Sequence, residues 1–352
     1  MQNYVESRGG EFIFFSAPNK MSVYGEYMPY YYIEDGGHGN YERLYSELVN
    51  AGVNTVQLKN TLSLKKADGV QLYHKLDSHW NNYGAAVAYE AVADKLSEVY
   101  GDEFKGYTRY STMPYSVKNN FSGDLQSMLL PGSDRKDEQL EFDVSENFEY
   151  TNRFRGVDDL VITTSNESKA VDKSVTFFRD SFGNALYWFF ANDYTSLTAK
   201  REIPYNIYQA AEESELVAVE LVERNLRNLL VYTPIVPSLN LGDGYFSGAV
   251  GGTADSDCTA EASVSVMTTT DGLLQVDGSC DVLSGYAYIY LVVEGGGTFQ
   301  VLPSEEGADF TLYLESDDAD IFNADFAGKV CSFVVKDETG YVRIPVNVTL
   351  QD

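Results

Sequence analysis

The sequence predicts two domains: a three-layer α/β domain with a mostly parallel sheet over residues 1–245, then a small all-β sandwich over residues 246–352. Short, wholly apolar runs alternate with helical periodicity in the first part, composition shifts after Pro234 and Pro237, and only strand-like patterns follow. The run Glu11–Lys20 (EFIFFSAPNK) stays apolar until Pro18, as a strand buried on both faces of a parallel sheet does. Asn40 to Ala51 places Leu44, Leu48 and Val49 at helical spacing, Gly52 closes that helix, and Val53–Leu58 reads as the next strand. A second helix, Tyr83 to Val99, carries Ala86, Tyr89, Ala93 and Leu96 on one face and starts after the polar pair Asn81-Asn82. Residues 101 to 170 read as an excursion over the surface, with Met128 to Phe142 rich in charge and turn formers. The pattern then resumes with a strand at Ser174–Phe178, an apolar helix at Gly183–Asn192 and a strand at Leu216–Glu220. Asn228–Tyr232 follows as a helix end or a further strand.

Gly242 to Asp257 is dense in Gly, Ser and Asp and marks a linker, which sets the boundary near residue 245. Beyond it, the runs Ala262–Met267, Gly285–Val293, Phe310–Leu314, Val330–Val335 and Tyr341–Leu350 alternate between Gly and Asp turns, the pattern of an immunoglobulin-like antiparallel sandwich. Tyr286, Tyr288, Tyr290 and Tyr313 partly alternate, as cross-strand packing requires. Cys258, Cys280 and Cys331 all lie in this part, so a disulfide would staple it alone and leave one thiol over; the spacing does not choose the pair.

The formal charge of -28, from 53 acidic and 25 basic residues, argues against nucleic acid and anionic membrane surfaces as partners. The acidic, Tyr-rich surface suits neutral, hydroxyl-rich ligands and plain solubility equally. No apolar run approaches the ~20 residues that span a bilayer, and the first residues lack a basic then apolar leader. Because Glu11 already opens a core strand, a trimmed export segment and an extracellular or cell-surface location are expected.

Serine catalysis needs an exposed hydroxyl on a turn, a neutral imidazole to take its proton and a carboxylate to fix the imidazole tautomer. The chain has three histidines. His38 sits in a Gly-rich loop, and His74, in Leu72-Tyr73-His74-Lys75-Leu76, reads as an exposed or half-buried polar residue. His79 differs, because Asp77 stands two residues before it in a loop that leads into a helix, Asp77-Ser78-His79-Trp80-Asn81-Asn82-Tyr83. Two residues in a turn can aim both side chains to one side; Asp77 could equally cap the turn while His79 bonds backbone. In Phe177-Phe178-Arg179-Asp180-Ser181-Phe182-Gly183-Asn184 an apolar strand runs into Asp-Ser and a helix begins. Ser181 is thereby set at the carboxyl end of a parallel strand, where helix N–H groups stabilise an oxyanion. A serine there also serves as a plain N-cap. No Cys and His spacing for zinc occurs, Asp317-Asp318-Ala319-Asp320 lacks the Gly and distal Glu of a calcium loop, and no Gly-rich phosphate loop follows a strand. The chemistry needs no cofactor and no metal.

Asp77-Ser78-His79-Trp80 followed by Asn-Asn-Tyr-Gly-Ala, with Arg179-Asp180-Ser181-Phe182-Gly183-Asn184 downstream, resembles the DHHW family and the alginate O-acetyltransferase-like SGNH proteins. Ala17-Pro18-Asn19-Lys20, Ser122-Gly123-Asp124-Leu125 and Glu220-Leu-Val-Glu-Arg-Asn-Leu226 support it, so the resemblance covers roughly residues 11 to 232. It implies an SGNH-like, flavodoxin-like first domain with Ser181 as nucleophile, His79 as general base and acid, and Asp77 as its orienter. Arg179 stands where many members have Gly, and no separate oxyanion blocks stand out. The Ser181 N–H is the first donor candidate, with Asn184 and then Gly123 after it. Arg179, Trp80, Tyr83 and Arg224 are further substrate-binding candidates, although Trp80 reads better as packing, and Arg224 and Lys20 as ion-pair partners. Tyr30-Tyr31-Tyr32 could stack on sugar rings or pack as satellite core. The implied partners are a carbohydrate or polysaccharide substrate and an acyl donor, in an O-acetyltransferase or acetylesterase. A non-catalytic cell-surface carbohydrate-binding protein is the rival reading, and nothing sets the oligomeric state.

Overall fold

The computed structural model describes residues 1–32, 39–246, 250–253, 259–286, 288–304, 307–315, 318, 330–337 and 340–350. His38, Cys258 and all of the 317–320 acidic run except Asp318 therefore lie outside the described residues. The chain divides into two compact units, Gln2–Glu202 with Ala210–Leu226, and Met1 with Ile203–Gln209 and Arg227–Asp352.

The first unit contains β1 (Glu11–Ala17), β2 (Thr55–Val56), β3 (Tyr115–Phe121), β4 (Asp137–Phe142), β5 (Glu149–Tyr150), β6 (Val161–Ser165), β7 (Val171–Phe178), β8 (Tyr194–Lys200) and β9 (Leu216–Val222). Seven of these form one sheet in the order β2-β1-β9-β7-β8-β6-β5. β2, β1, β9, β7 and β8 run parallel, while β6 and β5 are antiparallel at one edge, so the sheet is mixed. All of β9 and all of β1 after Glu11 are buried, which is why both strands read as continuous apolar runs. Counted from β7 rather than β1, the parallel strands follow the doubly wound order in which the first strand sits between the second and the third. The reversal point lies between β7 and β9, so ligand chemistry belongs at the carboxyl ends of those two strands.

The helix Asn82–Tyr100 forms as its pattern requires: Asn81 caps it by accepting the Gly84 N–H at 2.9 Å, and Ala86, Tyr89, Ala93 and Leu96 are buried. Three expectations change. Val53–Leu58 shortens to the two-residue β2, because Leu58 and Leu62, one helical turn apart and fully buried, draw the next segment into a helix, Leu58–Lys66. In the helix Asn40–Asn50, Val49 is exposed and the anchor is Tyr41, whose hydroxyl donates to the Ser16 carbonyl at 3.1 Å. Residues 101–170 include the antiparallel pair β3–β4, of which β3 is mostly exposed, yet β5 and β6 leave the surface to extend the sheet.

The second unit holds the short helix Asn228–Val231 and then β10 (Val250–Thr253), β11 (Ala260–Thr268), β12 (Leu274–Ser279), β13 (Ile289–Val293), β14 (Gly297–Pro303), β15 (Asp309–Leu314), β16 (Cys331–Asp337) and β17 (Gly340–Leu350). The immunoglobulin-like sandwich gives way to a closed barrel. β17 pairs with β16 on one edge and with β11 on the other, so the ladder β17-β11-β12-β15-β14-β13-β16 returns on itself. Closure removes the open edges that two stacked sheets keep. β10 joins β17 in parallel outside the ring. Val276, Ile289, Val293, Phe299, Leu312 and Phe333 fill the interior with Cys280 and Cys331. Tyr290 and Tyr313 are buried, as cross-strand packing required, whereas Tyr288 is largely exposed.

Candidate active site

β7 ends at Phe178, the helix Gly183–Asp193 begins five residues later, and Ser181 stands on the turn between them. Asp180 shapes this turn. Its Oδ1 accepts the Phe182 N–H at 2.9 Å, and its Oδ2 accepts the Val222 N–H at 2.9 Å and the Asn225 Nδ2 at 3.1 Å. Gly183 is required because a Cβ there would meet the Arg179 Cβ at 2.4 Å.

The loop before the Asn82–Tyr100 helix brings His79 to this turn from the other side. His79 Nε2 lies 2.8 Å from Ser181 Oγ, and Nδ1 lies 2.6 Å from Asp77 Oδ1. Asp77 Oδ1 also accepts the His79 N–H at 2.8 Å, and Oδ2 accepts the Asp124 N–H at 2.7 Å. Burial alone would push the Asp77 carboxyl up, but these donors outweigh it and hold the group down at about 2. Asp77, His79 and Ser181 thus form one hydrogen-bonded line, with the Nδ1 proton directed at the carboxylate and Nε2 left to face the hydroxyl.

The loop is locked by groups that the sequence reading had not assigned. Asp124 accepts the Ser78 N–H at 2.7 Å and the Ser78 hydroxyl at 2.5 Å, and its Oδ2 lies 3.8 Å from His79 Nδ1. Lys20, read as an ion-pair candidate, instead donates to the Lys75 and Asp77 carbonyls at 3.1 and 3.0 Å. Its ammonium is pulled down by burial against the opposing pull of Asp137, Asp77 and Asp124. Their sequence signal was the Ser122-Gly-Asp-Leu and Ala17-Pro-Asn-Lys blocks, whose roles spacing alone does not disclose. Asp77, His79 and Asp124 also offer three ligand atoms within 4.8 Å of one another. A divalent cation there would take Nδ1 from Asp77.

The remaining candidates divide by place. Gly123 packs on the Asp77 side of the imidazole, where an added Cβ would lie 1.9 Å from the Leu76 carbonyl oxygen, so this glycine admits the loop rather than facing Ser181. Asn184 accepts from Arg179 and donates to Asp158 at 2.8 Å. Arg179 is buried, donates to the Val157 and Asp159 carbonyls, and is lowered to about 10 by burial and then by Arg201. Trp80 packs under the turn, its Nε1 donating to the Phe182 carbonyl at 3.0 Å. Tyr83 is buried and donates to the Ser111 carbonyl at 3.2 Å. Arg224 is exposed, with its guanidinium 5.1 Å from the centre of the Phe182 ring. His74 is buried rather than exposed or half-buried, stacked 3.8 Å from Phe121, with its basicity lowered by that burial. Tyr30, Tyr31 and Tyr32 are exposed.

A cavity of about 1000 Å³ opens beside the Asp77–His79 loop. Tyr24, Tyr27, Met28 and Met128 give it apolar walls, while Lys20, Ser78, Asp124 and Arg224 give it polar ones.

Residues 1–170 match the family model of the SGNH hydrolase-like domain of acetyltransferase AlgX, a stretch that contains Asp77 and His79 and stops short of Ser181. The resemblance read from the motifs is thereby supported. No curated protein sequence matches. Among solved structures, Bacillus cereus PatB1 with a sulfonyl adduct is similar at TM-score 0.52 and 16% identity, over 64% of this chain and 85% of that one. A DHHW family protein from Eubacterium siraeum DSM 15702 (TM-score 0.47, 15% identity, 64% and 84%) and the O-acetyltransferase domain of Pseudomonas putida AlgJ (0.42, 19%, 64% and 79%) also match. The PatB1 likeness shows a shared fold.

Proposed function

We propose that this chain, whose first 170 residues match an SGNH hydrolase-like acetyltransferase domain, moves an acetyl group from an ester donor to a polysaccharide hydroxyl through an acyl-Ser181 intermediate. The observation that carries this reading is the single line from Asp77 through His79 to Ser181. His79 Nε2 takes the hydroxyl proton as Ser181 Oγ attacks the donor carbonyl, and returns it to the departing alcohol. Asp77 keeps Nδ1 protonated and stabilises the imidazolium that forms. Among the described residues no acceptor takes the Ser181 N–H, which leaves it to bind the oxyanion. In the second half an acceptor hydroxyl attacks the acyl carbon and gives its proton to His79, which passes it to Ser181 Oγ as the Oγ–acyl bond breaks, so the acetyl group leaves on the acceptor and Ser181 is restored.

Water in place of the acceptor would make the protein an esterase. The cavity beside the loop favours transfer, because Tyr and Met walls suit the apolar faces of sugar rings while Lys20 and Arg224 offer donors to hydroxyls. On this reading the reaction takes place outside the cell, and the chain beyond a boundary near residue 245 serves as an accessory domain. Among the described residues no helix is long and apolar enough to cross a membrane.

The test is acetate release from a chromogenic acetyl ester, with and without an oligosaccharide acceptor, by the wild type and Ser181→Ala. Turnover by the wild type alone, with acetyl appearing on the acceptor, supports the reading. No turnover and no labelling of Ser181 by a serine-directed phosphonate would sink it and leave the binding-protein reading ahead.

A further inference from the structure

Beside the Ser181 turn lies a carboxyl group that the mechanism does not use. Glu220 sits near the end of β9, in register with Phe15 of β1, and is completely buried. Its Oε2 accepts the Asp180 N–H at 3.1 Å, and its Oε1 is buried with no hydrogen-bond partner. Such an oxygen is expensive to ionise, because a buried carboxylate wants several donors or a bonded cation. The nearest other carboxylate, Asp180, already takes three donors: Phe182 N–H, Val222 N–H and Asn225 Nδ2.

We propose that Glu220 is a positioning residue for the nucleophile, holding the Asp180 N–H while Asp180 ties the turn forward to Phe182 and sideways to Val222 and Asn225. The inference rests on Ser181 being the nucleophile. Ser181 then has both neighbouring peptide units fixed, Asp180 through Glu220 and Phe182 through Asp180, so Oγ and the Ser181 N–H keep their aim without any contact between Glu220 and substrate. Glu220 does this as the neutral acid. Burial raises its carboxyl well above the ordinary glutamate value, Asp180 raises it further, and Arg179 is the charged group that opposes them. Two adjacent carboxyls that both ionised would repel across the turn they are meant to hold.

Glutamine has the shape of neutral glutamic acid and still accepts the Asp180 N–H; leucine fills the space and accepts nothing. With the chromogenic acetyl ester, Glu220→Gln is expected to keep kcat within about threefold of wild type, and Glu220→Leu to lower kcat about tenfold or more at unchanged KM. Equal activity of Glu220→Leu and wild type, or equal loss in both variants, overturns the proposal. Should Glu220→Leu fail to fold, Asn225→Ala decides from the half-buried far end of the same network. A lowered kcat at unchanged KM supports the anchoring, and a wild-type kcat overturns it.

A second readout needs no activity and so separates this inference from the proposed reaction. A raised acid stabilises fully below its unfolded value and loses that contribution as pH rises, so the Tm of the wild type should fall behind that of Glu220→Gln progressively above about pH 4.5. A pH-independent gap between the two overturns the neutral form. If the wild type is inactive on every ester while the gap widens with pH, the reaction falls and the buried neutral acid stands.

Discussion

The two halves of the candidate site are held by different physics. The Ser181 turn is pinned from inside the sheet, by a buried acid on β9 and by the ladder end at Val222. The Asp77–His79 loop is pinned from outside, by partly exposed Asp124 and by Lys20 donating to carbonyls. A turn at a strand end inherits the rigidity of the sheet, whereas a loop must be laced to a second loop, and each lace is a separate point of failure. The nucleophile should therefore fail all at once and the imidazole by degrees.

Removing the hydroxyl is the extreme case, and Ser181→Ala should lower kcat by about a thousandfold or more in the ester assay. Asp77→Asn attacks the other half, by admitting the wrong imidazole tautomer, and should lower kcat by about a hundredfold to ten-thousandfold with KM little changed. A loss nearer tenfold would mean that Asp124, 3.8 Å from Nδ1, takes over, which would sharpen the contrast between a loop with a reserve carboxylate and a turn with none.

Asp124→Ala cuts the bonds to Ser78 and should cost about 1–3 kcal/mol in denaturant unfolding, with a rate loss near tenfold. No change in either quantity would break the idea that the loop depends on this lace. The pH dependence follows from Asp77, whose carboxyl is depressed. Its contribution, about 2 kcal/mol, is fully present above its ordinary value of 3.8 and is lost as pH falls through about 2. In the wild type stability should drop across that window, and in Asp77→Asn that share of the drop should vanish. Smallest of all, Asn184→Ala should change kcat by less than about threefold, since its amide already serves Arg179 and Asp158. A loss of a hundredfold would return Asn184 to the oxyanion site.

Much of the first unit was legible because its elements are locally specified. β1 and β9 are buried on both faces and read as apolar runs, interrupted after Glu11 only by Ser16 and Glu220, and the Asn82–Tyr100 helix carries its own cap and its own stripe. The strands β8 (YTSLTAK) and β6 (VITTS) are not legible in the sequence, because their half-polar patterns lack the continuous apolar run of a strand buried on both faces. In the second unit the runs of β11, β13, β15, β16 and β17 were readable, while β12, β14 and the closure were not. Whether a row of strands folds into two sheets or one ring depends on which edges meet, and the closing β11–β17 pairing joins residues far apart in sequence, Ala260 with Val346.

The sequence by itself determined the chemistry on offer: one loop with Asp77 and His79, one strand-to-helix turn with Ser181, and an acidic, sugar-compatible surface. Tertiary structure alone decided that these meet, 2.8 Å apart across 102 positions of chain. It did so because the sheet places β7 beside β9 and sets the His79 loop over their carboxyl ends. It alone also turned Glu220 from one acid among many into a buried group with a single donor, since burial and partners belong to the fold and not to the residue.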